Sequence, residues 1–253
     1  MKTKSEFIKS ISSKGYSIGS WLSTDSLDIT EIMSNAGFEW LVVDLEHSST
    51  SINKAAEMIR IIDLSGKIPL VRLTSNNPDQ IKRVMDSGAH GIIIPNINTS
   101  EQAISAVKST RYAPTGNRGV GLARAQAYGA KFKEYLRWQK KSPIVIVQIE
   151  DIKAISNLDK IFSIEEVDGF IIGPYDLSCS MGIPGEFNNS KFKKVLNEIL
   201  SAGKRNKCFP GIHIVEPDKK MLKKSIADGY QLIAYSVDIR MIDVMAREGL
   251  SSI

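Results

Sequence analysis

Short apolar runs alternate along the chain with longer stretches in which apolar residues recur every three or four positions. The short runs fall at 17–21, 40–43, 69–72, 91–95, 144–149, 169–172, 211–214 and 232–235, and they read as strands buried in a parallel sheet. The periodic stretches at 27–35, 52–64, 79–87, 101–110, 192–205 and 218–227 predict helices between them. A short helix at 6–12 opens the chain, and another at 238–248 closes it. Eight strands, each followed by a helix, in a chain of 253 residues predict an α/β fold: a single (β/α)8 TIM barrel with a short N-terminal helix. A doubly wound open sheet would use fewer strands and carry a glycine-rich dinucleotide turn directly after one of them. Arg118-Gly-Val-Gly121 follows a helix and a loop instead. The connection over 111–141 is longer than a barrel loop needs. Its Pro114, Gly116, Arg118, Gly119, Gly121, Arg124 and Tyr128, with a helical stretch at 132–139, predict an ordered lid or an inter-subunit contact.

Composition narrows the class without changing the fold. With 42% hydrophobic and 24% charged residues, and no linker or low-complexity tract, residues 1–253 read as one globular domain. The first 14 residues hold Lys2, Lys4, Lys9 and Lys14 but no apolar core of signal-peptide length, and no segment approaches a membrane span. Cys179 and Cys208 are too few for a disulfide framework, so a cytoplasmic protein is expected. The net charge of +5 is spread over helix faces, as at Lys193 and Lys194 or Lys219, Lys220, Lys223 and Lys224. That pattern argues against nucleic acid and for a modest attraction toward small anionic substrates.

Candidate chemistry gathers at the strand ends, the face on which barrels place their active sites. Strand two ends in Asp44-Leu-Glu-His47, strand three in Arg72, strand five in Gln148-Ile-Glu150 and strand six in Gly173-Pro-Tyr-Asp176. Strand seven adds His213, and strand eight Ser236 and Asp238. Taken singly, each has a structural explanation: Asp44 as a helix cap, Glu150 beside Lys153, Asp176 as a cap, Arg72 in a salt bridge to Asp44 or Glu46. Glu150 and Asp176 on adjacent strand ends, with no cysteine nearby, instead suit a hard divalent cation such as Mg²⁺ or Mn²⁺. Arg72 offers a planar fork to an enolate or carboxylate, and His47 can carry a proton near neutral pH. No predicted strand contains an internal lysine, which disfavours imine chemistry.

Asp44-Leu-Glu-His47, Arg72, Asp86-Ser-Gly-Ala89, Tyr112-Ala-Pro-Thr-Gly-Asn-Arg-Gly119, Gln148-Ile-Glu150 and Gly173-Pro-Tyr-Asp-Leu-Ser-Cys-Ser-Met-Gly182 together resemble the HpcH/HpaI aldolase family, in the same order and from about Gly19 to Asp238. The resemblance implies a metal-dependent class II pyruvate aldolase that reversibly cleaves a 4-hydroxy-2-oxo acid to pyruvate and an aldehyde through a metal-stabilised enolate. It implies metal ligation by Glu150 and Asp176, with Mg²⁺ or Mn²⁺ expected and Co²⁺ or Zn²⁺ tolerated. It places Gln148 and the Tyr175 backbone amide on the substrate and Arg72 on the enolate charge. His47 would be the acid/base, backed by Asp86, with Asp44 supporting the site. Asp86 lies toward a helix end, so it would reach His47 only across a subunit boundary of a homo-oligomer, a trimer or hexamer. Asn96, Tyr175, Cys179 and His213 depart from the usual family residues. Asn96 and His213 suggest a more polar pocket for a hydroxylated aldehyde, His213 reading otherwise as a hydrogen-bonded supporting residue. Two other readings stand beside this one: a related lyase or decarboxylase acting on an oxaloacetate-like acid, and a catalytically silent barrel that only binds 2-oxo acids.

Overall fold

The computed structural model describes residues 1–251, in which eight parallel strands close into a barrel in sequence order. They are β1 (Ser17–Leu22), β2 (Trp40–Asp44), β3 (Ile68–Arg72), β4 (Gly91–Ile94), β5 (Ile144–Ile149), β6 (Gly169–Ile172), β7 (Phe209–Ile214) and β8 (Leu232–Val237). The helices are α1 (Lys4–Lys14), α2 (Leu27–Asn35), α3 (Ile52–Leu64), α4 (Pro78–Asp86), α5 (Ser100–Thr110), α6 (Phe132–Lys141), α7 (Leu158–Phe162), α8 (Pro174–Ser180), α9 (Ser190–Asn206), α10 (Lys219–Ala227) and α11 (Asp238–Glu248). The expected (β/α)8 barrel is therefore present, with strand bounds close to those read from the apolar runs. No helix among the described residues is long and apolar enough to cross a membrane.

The apolar runs look continuous because each strand is buried on both faces, yet alternate residues go to different places. Leu41, Val43, Val71, Ile92, Ile94, Val145 and Val147 join Met58, Ile59, Ile62 and Val84 in the layer between strands and helices. Trp40, Val42, Ile68, Leu70, Ile93, Ile144, Ile146 and Leu232 instead fill the barrel interior. Gly19 has no side chain because the Trp40 ring takes that space. A Cβ there would lie 2.0 Å from the indole.

α1 closes the lower end of the barrel. It stops directly before β1 starts, and its Phe7 and Ile11 belong to the interior cluster. Lys4 Nζ reaches the buried Asp168 Oδ1 at 2.5 Å, and the Trp138 indole donates to the Lys2 carbonyl at 2.9 Å. Burial pushes the Asp168 carboxyl up to about 6, with the Lys4 ammonium opposing the shift.

The 111–141 connection is ordered, as expected, but it is not a lid. It joins the end of α5 to the start of β5, so both its ends lie at the lower side of the barrel. Its anchors lie on that side as well. Arg124 Nη2 donates to Asp63 Oδ2 at 2.6 Å near the end of α3, and Asp63 Oδ1 pairs with the buried His90 Nε2 at 2.9 Å. The Arg118 guanidinium packs over Tyr112 at 4.3 Å and donates to the Tyr135 hydroxyl at 2.7 Å.

Candidate active site

Period-two alternation carries polar residues into the interior at the upper end of the barrel. Asp44 follows Trp40 and Val42, Arg72 follows Ile68 and Leu70, Gln148 follows Ile144 and Ile146, and His213 follows Phe209 and Gly211. All four share the inward face of their strands. Asp44 and Arg72 are register partners across β2 and β3. The buried Asp44 carboxylate takes the guanidinium as a fork, with Nε to Oδ1 at 2.8 Å and Nη2 to Oδ2 at 2.7 Å. Asp44 Oδ1 also accepts from the backbone N–H of Glu46 at 3.0 Å and of His47 at 3.4 Å. Asp44 thus holds the turn that presents His47. It does not cap α3, whose N-cap is Ser51. Trp21, which the sequence reading passed over, lies under Arg72, 4.3 Å from ring centroid to guanidinium. Its place near the end of the first strand was the available signal.

His47 is exposed at the rim, its Nε2 3.9 Å from Glu46 Oε2. That same Glu46 oxygen is buried and makes no hydrogen bond, although Arg72 Nη1 stands 3.3 Å away. Burial pushes the Glu46 carboxyl up to about 7; Arg72 opposes the shift, while Glu150, Asp44 and Asp176 add to it. An unfolded glutamate ionises near 4.5, so between those values the folded state holds a proton that the unfolded chain has released. Stability falls as pH rises through that interval and levels off above it. In metal-free buffer, Glu46→Gln is expected to raise the melting temperature roughly 2–4 °C more at pH 8 than at pH 5, the shift that about 1 kcal/mol gives a chain of this size. Equal changes at both pH values in thermal melts would show that ionised Glu46 costs the fold nothing.

Glu150 is buried one residue beyond β5. Its Oε1 accepts from the Asn96 backbone N–H at 2.7 Å, and its Oε2 accepts from Gln148 Nε2. Asn96 delivers that N–H from a left-handed backbone conformation, φ +55°. Burial raises the Glu150 carboxyl, and the facing Asp176 adds to the shift. Asp176 is exposed in the first turn of α8, whose N-cap is Gly173, so Asp176 is not a cap. Lys153 pairs with Asp151 at 3.7 Å, leaving Glu150 without a lysine partner.

Two adjoining clefts share His47 and Asp176. One is bordered by Glu46, Asn96 and Glu150, the other by Trp21, Arg72, Gln148, Tyr175 and His213. The Glu150 and Asp176 carboxylates, the first raised by burial, form an all-oxygen donor pair that suits a hard divalent cation. No group of three or more His, Cys, Asp or Glu is arranged to hold an ion among the described residues. Glu150 and Asp176 would therefore leave the remaining positions to water and substrate.

One sequence expectation lands elsewhere. Asp238 accepts from the backbone and hydroxyls of Ser23 and Thr24 at 2.6–3.0 Å, so it ties α11 to the exit of β1 and does not face the mouth. Asp86 stands 3.6 Å from Arg118 Nη1 and borders neither cleft. Burial raises its carboxyl. Within one chain, nothing brings Asp86 to His47.

Residues 17–243 match the family model described as HpcH/HpaI aldolase/citrate lyase. The chain belongs to this family. Among HpcH/HpaI relatives, a 2-keto-3-deoxy-L-rhamnonate aldolase of Salmonella gallinarum is 35% identical over 227 residues, covering 87% of this chain and 82% of that one. A 4-hydroxy-2-oxo-heptane-1,7-dioate aldolase of Escherichia coli is 33% identical over 237 residues, covering 93% and 89%. The crystal structure of a family protein from Burkholderia cenocepacia J2315 superposes with a TM-score of 0.90 at 30% identity and 99% coverage of both chains. The family assignment thus rests on nearly the whole barrel.

Proposed function

We propose that this HpcH/HpaI protein is a divalent-metal-dependent aldolase that reversibly cleaves a 4-hydroxy-2-oxo acid to pyruvate and an aldehyde. The observation that carries the reading is the convergence of Glu150, Asp176, Arg72 and His47 on two joined clefts at the carboxyl end of the barrel. The two aldolase relatives support the same reaction type.

Glu150 and Asp176 would hold the cation, Mg²⁺ or Mn²⁺ by their all-oxygen character. When bound, it supplies positive charge against which a 2-oxo acid can be enolised. Gln148 anchors Glu150 through its amide nitrogen and keeps a buried Oε1 without a partner, ready for a donor on the substrate or on a bound water. The Tyr175 backbone amide, in the first turn of α8, would receive a substrate carboxylate at a helix N-terminus. Arg72, held by Asp44 and Trp21, directs its remaining N–H groups at charge that develops on the enolate oxygen. His47 takes the proton from the C4 hydroxyl during cleavage and returns it in the reverse direction. Asp86 would meet His47 of a second subunit in a trimer or hexamer. Free thiols at Cys179 and Cys208 suit a cytoplasmic enzyme.

Removing the metal tests the reading. Protein stripped by a chelator is expected to release no pyruvate from a 4-hydroxy-2-oxo acid and to regain the activity with Mg²⁺ or Mn²⁺. Unchanged release in excess chelator would overturn the metal-dependent route. A strong preference for oxaloacetate decarboxylation in the same assay would move the assignment to the related lyase.

A further inference from the structure

His213 is an unusual wall for a site that must bind an aldehyde. It enters the mouth from β7 as register partner of Ala234, and its ring tilts against Trp21 with 5.3 Å between centroids. The Trp21 indole therefore touches both His213 and Arg72. Among the described residues only one ring nitrogen is hydrogen-bonded: Nε2 lies 3.2 Å from the Ser236 carbonyl. A carbonyl oxygen only accepts, so Nε2 carries the hydrogen.

The Ser236 carbonyl is aimed by local backbone geometry. Ser236 has φ +56°, and the β1–β8 register shifts between Gly19 and Trp21, beside it. Such an irregularity turns a peptide out of the ladder. The rotated carbonyl receives His213 at 3.2 Å, the Ser20 hydroxyl donates chiefly to the neighbouring Tyr235 carbonyl at 2.8 Å, and the Ser236 hydroxyl donates to the Val215 carbonyl at 2.9 Å. The carbonyl of buried Ser236 thus fixes the tautomer of His213.

What remains is Nδ1. It makes no hydrogen bond among the described residues, and it is not one of the buried polar atoms sealed from solvent. The ring borders the cleft formed with Trp21, Arg72, Gln148 and Tyr175. Burial pulls the imidazole down to about 4, which keeps that nitrogen an acceptor at neutral pH.

We infer that His213 is a specificity-determining residue whose Nδ1 accepts a hydrogen bond from a hydroxyl of the aldehyde portion, so that the site selects hydroxylated aldehydes. The inference rests on the aldolase reading above. An acceptor lone pair gains a bond from a hydroxyl, gains nothing from an alkyl chain, and repels a carboxylate. The two named relatives act on substrates that differ in this respect, one a deoxy-sugar acid and the other a dioate. The His213 geometry favours the first kind.

The test is the ratio of kcat/KM for glyceraldehyde to that for propanal in condensation with pyruvate, with succinic semialdehyde as a third acceptor. Both three-carbon aldehydes share a chain length, so the ratio cancels losses common to them. Wild type is expected to prefer glyceraldehyde and to use succinic semialdehyde poorly. His213→Leu is expected to lower the ratio about tenfold, the worth of one hydrogen bond. His213→Gln, whose amide can donate to the Ser236 carbonyl and still present an oxygen, is expected to restore most of it. Should the leucine variant fail to fold, His213→Phe keeps a ring against Trp21 and serves the same comparison.

An unchanged ratio in a folded variant that lacks the acceptor overturns the inference. So does a wild type that prefers succinic semialdehyde. Exchange of the pyruvate methyl protons with deuterated solvent separates this failure from that of the aldolase reading. Wild type that exchanges none, with metal supplied, overturns both, whereas exchange with an unchanged ratio overturns the His213 assignment alone.

Discussion

Glu150→Gln is expected to lower pyruvate release about a thousandfold, the rate equivalent of roughly 4 kcal/mol, while the barrel stays folded. The substitution is nearly isosteric and removes one of the two carboxylates that would hold the cation. An amide oxygen can still accept from the Asn96 N–H, which now bonds Glu150 Oε1 at 2.7 Å. The Gln148 side chain has a route to adapt as well, because its Oε1 is partnerless and a flip of its amide would accept from the new nitrogen. Loss of negative charge is therefore separated from loss of structure. Metal binding followed by titration calorimetry should weaken in step with activity, with an unchanged circular dichroism spectrum. A variant that turned over at the wild-type rate would remove Glu150 from the metal site, and with it the reading of the paired carboxylates.

Arg72→Lys should cost about a hundredfold to a thousandfold in kcat, the typical penalty for removing one preorganised donor from developing negative charge. Lysine keeps the charge but not the fork that Asp44 holds at 2.7 and 2.8 Å, nor the flat cation over Trp21. The effect should fall on kcat more than on KM for the 2-oxo acid, because the fork serves charge that appears only as the enolate forms. Steady-state kinetics on the purified variant separate the two terms. A rise in KM with kcat intact would instead make Arg72 a ground-state binder of the substrate carboxylate.

The barrel was legible in the sequence because its signals are local. Each buried strand is a short apolar run, and each helix repeats at its own period. Asp44, Arg72, Gln148 and Glu150 could be placed at strand ends for the same reason. Other features depended on contacts between distant segments. Trp21 meets Arg72 only when the barrel closes, and the Asn96 N–H meets Glu150 only through a left-handed backbone conformation at a residue that is not glycine. Ser236 hides its role in the same way. The length and composition of the 111–141 segment fit a lid or an inter-subunit contact, and they say nothing about which end of the barrel it joins. Its connection from α5 to β5 decides that. The Asp86 expectation involves a second chain, so one barrel cannot bring it to completion.

α1 gives the barrel a floor. With Phe7 and Ile11 packed into the interior cluster with Trp40 and Ile68, the reactants meet the site from its opposite, carboxyl end, where the clefts open. Whichever molecule stands at that opening decides the fate of the enolate behind it. An aldehyde seated there keeps water out while the carbon–carbon bond forms, and an empty opening lets solvent return the proton and give back pyruvate. Short, loosely held aldehydes should therefore waste more enolate than those that fill the entrance.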